Sequence, residues 1–247
     1  MKEKFIPVNN NIDKAIAFAN TLDSNNIRNI QKIKQPQHYI DTLEVVKVLQ
    51  GEGWTLHGVD EFRNKQRKVV SNFVQLKHPD LQLLTNGNPD AVASITISNS
   101  CDGKKPLEMS LGVYRQICSN GLMAREEYAT ERIKHIEVDY NDLYRKIMLF
   151  GNKTNKVLDR FESLQHHNLN HHEVVRLARE AASLRYNQEE VNSRVAELLR
   201  VSRLEDEGNN LWAVYNRVQE NLTHDIRNPH QNIQLNQQLF SLVENYM

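Results

Sequence analysis

The chain has 247 residues and carries 31 basic and 31 acidic side chains, so its formal net charge is zero. A neutral protein has no overall positive field to attract nucleic acid, and any such binding must come from a local cluster of cations. Two cysteines, Cys101 and Cys118, are too few for a disulfide framework or a thiolate metal site, which indicates reduced thiols. No stretch approaches the ~18 consecutive apolar residues of a membrane span, and no apolar signal segment follows Met1, so we expect a cytoplasmic protein.

The N-terminal stretch, residues 1–37, mixes polar clusters with weak apolar positions, and Pro36 disfavours helix at the residue before it. We interpret it as an arm or lead-in to a single α+β domain over residues 38–247. From Asp41 onward, apolar residues at helical spacing followed by Gly51 predict a short helix with an Asp start and a Gly stop.

The pattern then changes to that of β-strands. Residues 54–59 and 69–77 are rich in aromatic and β-branched side chains, and Pro79 follows the second segment. The sequence Asn86-Gly87-Asn88-Pro89 predicts a turn after them.

Two segments of alternating apolar and polar residues follow, 93–98 and 107–113. They are joined by Asn99-Ser100-Cys101-Asp102-Gly103, which contains residues that adopt positive φ readily. The sequence therefore predicts a β-hairpin with a polar tip. A second turn at Ser119-Asn120-Gly121 is expected to lead the chain directly into helices.

Beyond Tyr140, apolar residues recur at the spacing of amphipathic helices, which predicts five helices in about 100 residues. Asn168 or Asn170, and then Asn209-Asn210, are candidate helix N-caps, and a last helix follows Pro229. The whole pattern predicts an α+β fold. It has a twisted antiparallel β-sheet at about residues 54–120, within a sheet region of 50–122, and a helical C-terminal half, 128–247, packed on or beside it.

Four histidines close together suggest a metal site at first sight: His166, His167, His171 and His172. Adjacent histidines point about 100° apart on a helix, so we interpret the run as a polar inter-helix loop and assign no metal and no cofactor. No Gly-x-Ser-x-Gly elbow or phosphate-binding glycine loop is present. Cys118 at a strand end is better explained as a small buried side chain than as a nucleophile, so we do not expect an enzyme.

A local cluster of cations is the main functional signal. It begins where the chain enters the second predicted strand and continues on that strand, on the hairpin tip and on the hairpin's second strand. Cations that share one face of a sheet can bind the phosphates of a nucleic acid. The candidate phosphate contacts are Arg63, Lys65, Arg67, Lys68, Lys77, Lys104, Lys105 and Arg115, and the candidate stacking residues are Phe73, Tyr114 and Trp54. The alternative is a solvated connector beside core aromatics.

Three segments together resemble a phage- and plasmid-associated family, domain of unknown function 932. Residues 99–103, followed by Arg115-Gln116-Ile117-Cys118-Ser119-Asn120-Gly121, resemble its Asn-Ser-His-Asp-Gly and Arg-x-x-Cys-x-Asn-Gly signature, with Cys101 where a histidine is common. Residues 209–222 resemble its Asn-x-Trp-x-Val-x-Asn-x-x-Gln-Glu-Asn helix, and residues 232–246 are similar to its closing helix. The resemblance implies a phage, plasmid or prophage setting and no established activity.

The residues that match the family motifs are Asn99, Asp102, Gly103, Cys118, Asn120, Gly121, Trp212, Asn216, Gln219 and Glu220. Turn geometry explains the aspartate, asparagine and glycine residues of the hairpin region, and Trp212 can fill space between helix and sheet. Asn216, Gln219 and Glu220 share one helix face, where they either satisfy buried backbone or touch a ligand. The sequence leaves both readings open.

Two functions are compatible with these observations. The first is a non-enzymatic nucleic-acid-binding protein of a phage or mobile element, acting in replication, recombination or single-strand handling in the host cytoplasm. The alternative is a protein-interaction module, either an inhibitor of host defence or a virion or assembly component, with no nucleic-acid contact. The candidate partners are single-stranded DNA, a phage or host protein, and a second copy of the chain, with no membrane.

Overall fold

The computed structural model describes residues 6–7, 39–64, 69–100, 103–115, 121–123, 129–136 and 139–247. Its strands are β1 (Ile6–Pro7), β2 (Thr55–Arg63), β3 (Val69–Thr85), β4 (Asn88–Ser100), β5 (Leu107–Arg115), β6 (Gly121–Met123) and β7 (Thr130–Ile133). Its α-helices are α1 (Thr42–Gly51), α2 (Tyr140–Gly151), α3 (Thr154–Ser163), α4 (His171–Ser183), α5 (Gln188–Leu198), α6 (Leu211–Thr223) and α7 (Pro229–Glu244). An antiparallel sheet followed by a helical half confirms the predicted α+β class.

The sheet has the strand order β1-β2-β3-β4-β5-β6, and β7 also pairs with β5. β6 pairs with residues 112–114 of β5 and β7 pairs with residues 107–110, so these two short strands lie end to end along the same edge. The expectation that the chain passes directly from the turn at 119–121 into helices is therefore wrong. Within the predicted arm, β1 pairs with Gly58 and Val59 of β2, and residues 8–37 lie outside the described residues.

Two hairpins build the centre of the sheet. Between β3 and β4, Asn86 (φ 53°) and Gly87 (φ 77°) both adopt positive φ, as a two-residue type I′ turn requires, which confirms the predicted turn. Between β4 and β5, Ile97 pairs with Met109, so the apolar positions of the two strands share a face. The predicted hairpin is confirmed, and Gly103 at its tip has φ 66°.

The helix starts follow local sequence signals. Asp41 caps α1, Asn170 and Glu173 form a reciprocal capping box on α4, and Asn210 caps α6, which confirms all three predicted caps. The described part of the helical half contains six α-helices, one more than predicted. No helix in the described ranges has both the length and the hydropathy needed to cross a bilayer.

One hydrophobic core joins the sheet to the helices. Alternate residues of the central strands, among them Val74, Ile95 and Leu111, pack in the same cluster as Phe161 of α3 and Phe240 of α7. Each is at most 1% exposed. Burying such a side chain is worth roughly 1.5–3 kcal/mol, so this shared core holds the helices on the sheet.

The opposite face of the central strands is polar. Ser94, Thr96 and Ser110 alternate with core residues and are each only 3% exposed. Side chains of α7 reach this face, where His230 contacts Ser71. Strand alternation therefore gives the core one apolar face and turns a hydroxyl-bearing face toward α7.

Candidate nucleic-acid interface

A polar groove of about 950 Å³ runs between α7 and the hydroxyl-bearing face of the sheet. This volume lies at the upper end of the range for ligand-binding clefts. Most of its lining side chains carry hydroxyl, amide or charged groups. Among them are Ser71, Ser98 and Ser100 from the strands and His230, Gln234 and Gln237 from α7.

The periodicity of α7 explains how one helix serves both the groove and the core. The groove residues of α7 recur every three or four positions, as expected of one helix face. The other face packs in the core through Leu235, Leu239, Phe240 and Val243. Asn228 caps the helix just before Pro229, and its side chain accepts hydrogen bonds from the His230 and Gln231 backbone N–H groups. This cap fixes the position of His230 at the groove.

His230 ties the start of α7 to the sheet. Its Nε2 lies 3.2 Å from Ser71 Oγ, and its ring packs edge-on against Phe73 at 4.7 Å between centroids. Burial lowers the pKa of His230, and the nearby Lys105 ammonium lowers it further. A neutral imidazole can hydrogen-bond either a donor or an acceptor in the groove.

The charged residues of the groove differ in how they are paired. Arg132 Nε donates to Glu108 Oε2 at 2.6 Å, and Glu131 lies 3.8 Å from Lys153 Nζ. The exposed Lys105 makes no ion pair with a described residue. Its backbone N–H donates to Ser100 Oγ at 3.1 Å and its carbonyl accepts from the same hydroxyl at 2.9 Å. Ser100 therefore holds Lys105 at the groove, where its ammonium is available to an anion.

The two connectors that carry cations leave the sheet at the end where Lys105 lies. In the antiparallel sheet, Ser71 pairs with both Phe62 and Ser100, so the β2–β3 and β4–β5 connectors leave from one end. The first connector carries Lys65, Arg67 and Lys68, which lie outside the described residues, as does the side chain of Arg63. The second carries Lys104, which is exposed, and Lys105.

Two other predicted phosphate contacts lie elsewhere. Lys77 is near the middle of β3, half-buried, with Nζ 3.3 Å from the centroid of the Tyr114 ring. Arg115 is only 1% exposed, and its guanidinium pairs with the carboxylates of Asp90 and Asp206. The prediction that Arg115 contacts phosphate is wrong, because its charge is buried and already neutralised by two acids.

The predicted stacking residues do not form an exposed aromatic platform. Phe73 is fully buried and Trp54 is 3% exposed, so the prediction is wrong for both residues. Tyr114 is partly exposed, but one face of its ring is covered by Lys77. Stacking on these three rings therefore cannot contribute much to binding a base.

Arg115 belongs to a buried network that joins the sheet to the helices. Its Nε donates to Asp90 Oδ1 at 2.7 Å, and the other oxygen of Asp90 accepts from Trp212 Nε1 at 2.9 Å. On the helical side, Arg203 donates to both carboxylate oxygens of Glu220 at 2.6 Å. The motif residues Trp212 and Glu220 therefore form contacts within the protein.

The remaining polar motif residues with described side chains also have partners in the protein. Asn216 donates to the Trp212 carbonyl at 2.8 Å, and Gln219 donates to Asn236 Oδ1 of α7 at 2.9 Å. Asn99 donates to the Ile40 carbonyl at 2.9 Å. The sequence left open whether these polar side chains make contacts within the protein or touch a ligand. The structure shows contacts within the protein. Asp102, Cys118 and Asn120 lie outside the described residues, and Gly121 begins β6.

Sequence reasoning missed the α7 side of the groove. Its glutamines recur at helical spacing, but amide side chains on a helix usually face solvent. Nothing in the sequence therefore indicated that they line a groove. The histidine run, which we interpreted as an inter-helix loop, lies only partly in one: His166 ends a 3₁₀ turn, whereas His171 and His172 open α4. Across the described residues, no three His, Cys, Asp or Glu side chains cluster as a metal site would require.

Comparisons with known proteins place the chain in a family. Two proteins of Escherichia coli (strain K12), UPF0380 protein YafZ and UPF0380 protein YfjQ, are each 26% identical to it over 191 residues, 74% of this chain and 67% of the relative. No solved structure was found to match it. The family described as "Domain of unknown function (DUF932)" matches residues 33–240. The chain therefore belongs to the DUF932 family, as the resemblance of its motifs predicted.

Proposed function

We propose that this protein binds a single strand of nucleic acid in the groove between α7 and the sheet, without acting as an enzyme. The proposal rests on the position of the groove relative to the two connectors. The polar groove is lined by residues at the end of the sheet from which both cation-bearing connectors leave. A hydrogen-bonding cleft at the end of the sheet from which cation-bearing connectors leave suits a polyanion with polar bases.

The phosphates are the expected partners of the cations. Lys105 lines the groove without an ion pair to a described residue, and Lys104 is exposed next to it. Arg67 and Lys68 belong to the neighbouring connector. Each phosphate neutralised releases counterions, which makes the affinity strongly dependent on salt.

The bases are the expected partners of the groove walls. Gln234 and Gln237 offer amide donors and acceptors, and Ser98 offers a hydroxyl from the opposite wall. In a duplex, base pairing occupies the hydrogen-bonding edges of the bases, so only an unpaired strand can offer them to both walls of the groove. This favours single-stranded over double-stranded nucleic acid. Because the predicted stacking rings are covered, the affinity depends mainly on charge and hydrogen bonds.

The acidic residues of the groove repel a phosphate only weakly. Glu108 is paired with Arg132, and Glu131 lies near Lys153. A paired carboxylate repels a phosphate much less than an isolated one. Binding of this kind suits a role in replication, recombination or single-strand handling in a mobile element.

The proposal is tested by fluorescence anisotropy with labelled single- and double-stranded oligonucleotides at about 50 and 200 mM salt. We expect tighter binding of the single strand and a loss of about 20- to 100-fold in affinity at the higher salt, as for three to five phosphate contacts. Arg67→Glu/Lys68→Glu should weaken binding, whereas Lys156→Glu on α3 should not. No binding at the lower salt would overturn the proposal.

A second function, a protein-interaction module, is favoured by one observation. Tyr140, Tyr144 and Met148 are 50%, 36% and 37% exposed and recur every four residues along α2. An exposed apolar stripe on a helix suits packing against another helix, here that of a second copy of the chain. Sedimentation at micromolar concentration tests this: a dimer lost in Tyr144→Glu would support it, and a monomeric wild type would exclude self-association at that concentration.

A further inference from the structure

Lys77 extends across the hydroxyl-bearing face of the sheet. Its paired residue on β4 is Ser94, and the residue paired with Ser94 on β5 is Gly112. Because these residues have small side chains or none, the lysine can lie over them and bring Nζ to 3.3 Å from the centroid of the Tyr114 ring. His57 of β2 packs against the same ring at 4.4 Å between centroids.

No carboxylate among the described residues forms an ion pair with Lys77. Among the residues that the structure describes, the titratable groups that face it are His57 from β2 and Tyr114 from β5, while β4 contributes the hydroxyl of Ser94. An ammonium that is half-buried without an acid loses hydration, and a ring face returns only part of that energy. Burial accordingly lowers the pKa of Lys77 to about 8.

The neighbouring imidazole does not stabilise the ammonium. Burial, together with the positive charge of Lys77, lowers the pKa of His57 to about 4, so this ring is neutral at neutral pH. Lys77 is thus an amine with an aromatic neighbour on one side, a neutral imidazole close by and no negative partner among the described residues. Burial without a negative partner favours the neutral, nucleophilic form of a lysine, and the ring face offsets this only in part.

We propose that Lys77 is a site of N-acylation, the lysine in the described part of the chain that reacts most readily with activated acyl donors such as acyl phosphates and acyl thioesters. The neutral Nζ attacks the acyl carbon and forms an N–C bond. The C–O bond of the acyl phosphate, or the C–S bond of the thioester, breaks and releases phosphate or thiol. The proton from nitrogen passes to solvent, and the product is an uncharged amide over the Tyr114 ring.

This inference does not rest on nucleic-acid binding, because it concerns the intrinsic reactivity of one amine. It is tested on the full chain with acetyl phosphate at low conversion, followed by peptide mass spectrometry. The comparison lysines are Lys105 and Lys134, which are exposed.

At pH 7.5 a lysine with a pKa of about 8 is neutral in roughly a quarter of molecules, against about 0.1% for an ordinary lysine. The lower basicity of the amine offsets part of that advantage, so we expect acetylation of Lys77 about tenfold faster than of Lys105 or Lys134. The preference should shrink steadily as the pH rises, because an ordinary lysine is then neutral in a growing fraction of molecules. Equal rates at pH 7.5 would overturn the proposal.

A matched pair of variants tests whether the reactivity of Lys77 comes from the lack of a nearby carboxylate or only from its exposure to solvent. Thr55 is exposed and pairs directly with Lys77 on β2. Thr55→Glu puts a carboxylate at the position paired with Lys77 on the neighbouring strand, which raises the pKa of the amine and should abolish the preference for Lys77. Thr55→Gln has nearly the same size without the charge and should retain it. If both variants behave alike, the reactivity does not come from the missing acid and the proposal fails.

Discussion

Trp212 on α6 donates its indole Nε1–H to Asp90 Oδ2 on β4 at 2.9 Å, across 122 residues of chain. The other oxygen of the same carboxylate accepts from Arg115 Nε at 2.7 Å. Asp90 is 9% exposed and Trp212 is 2% exposed, so water competes little for these bonds. This carboxylate therefore links the helical half to the sheet.

The first prediction concerns the charge at the centre of this network. Arg115→Met leaves Asp90 and Asp206 buried without their shared cation, which should lower the free energy of unfolding by about 3–5 kcal/mol. Chemical denaturation followed by circular dichroism measures this change. The matched control is Arg132→Met, which breaks an ion pair whose arginine is 64% exposed and should cost less than about 1 kcal/mol. Similar losses for both variants would contradict the importance of burial.

The second prediction concerns the indole itself. Trp212→Phe keeps most of the buried ring but removes the N–H that donates to Asp90 Oδ2. We expect a loss of about 1–3 kcal/mol in the free energy of unfolding, since a buried acceptor loses a donor. Urea unfolding measures it. A change below about 0.3 kcal/mol would show that the hydrogen bond contributes nothing net.

The third prediction uses two adjacent asparagines. The Asn210 side chain accepts from the Ala213 backbone N–H at 2.8 Å and caps α6, whereas Asn209 is exposed and caps no helix in the described residues. Asn210→Ala should therefore lower the free energy of unfolding by about 1 kcal/mol, and Asn209→Ala should be nearly neutral. Thermal unfolding of both variants measures the difference, and the reverse order would contradict the assignment of the cap.

The fourth prediction concerns pH. Burial lowers the pKa of His57 to about 4, below the ~6.5 expected in the unfolded chain. The unfolded state then binds the proton more readily, so the stability contributed by neutral His57 is present above pH ~6.5 and is lost as the pH falls toward 4. His57→Gln lacks this dependence.

The measurement is the difference in unfolding free energy between wild type and His57→Gln at several pH values. We expect the wild type to lose about 1–2 kcal/mol relative to the variant between pH 7 and 4.5, less than the full shift implies because the ring is half-buried. A difference that does not change with pH would contradict a buried neutral His57.

The sequence predicted best those structural features that depend on residues close together in the chain. The hairpin follows from strand alternation, and the caps at Asp41, Asn170 and Asn210 follow from local side-chain geometry. It did not predict the pairing of Arg115 with Asp206, because these residues lie 91 positions apart and only the folded chain brings them together. β6 and β7 were missed because strands of three and four residues leave almost no alternation to detect.

The groove could be predicted only in part. The cationic connectors were recognisable because they cluster along the chain, but their position relative to α7 depends on the register of the sheet. A strand residue also gives no indication of whether it faces solvent or a helix, which is why Arg115 was expected to be exposed and Phe73 to be available for stacking.

The most direct test of the groove is site-specific photo-crosslinking to a labelled single strand. Gln234 and Gln231 are both exposed glutamines of α7, but of the two only Gln234 lines the groove. A photoreactive residue replacing Gln234 should crosslink the strand efficiently at about 50 mM salt and much less at 200 mM, and the same residue at Gln231 should crosslink poorly. Equal crosslinking from both positions, or none from Gln234 under conditions where the strand is bound, would contradict the groove as the binding site.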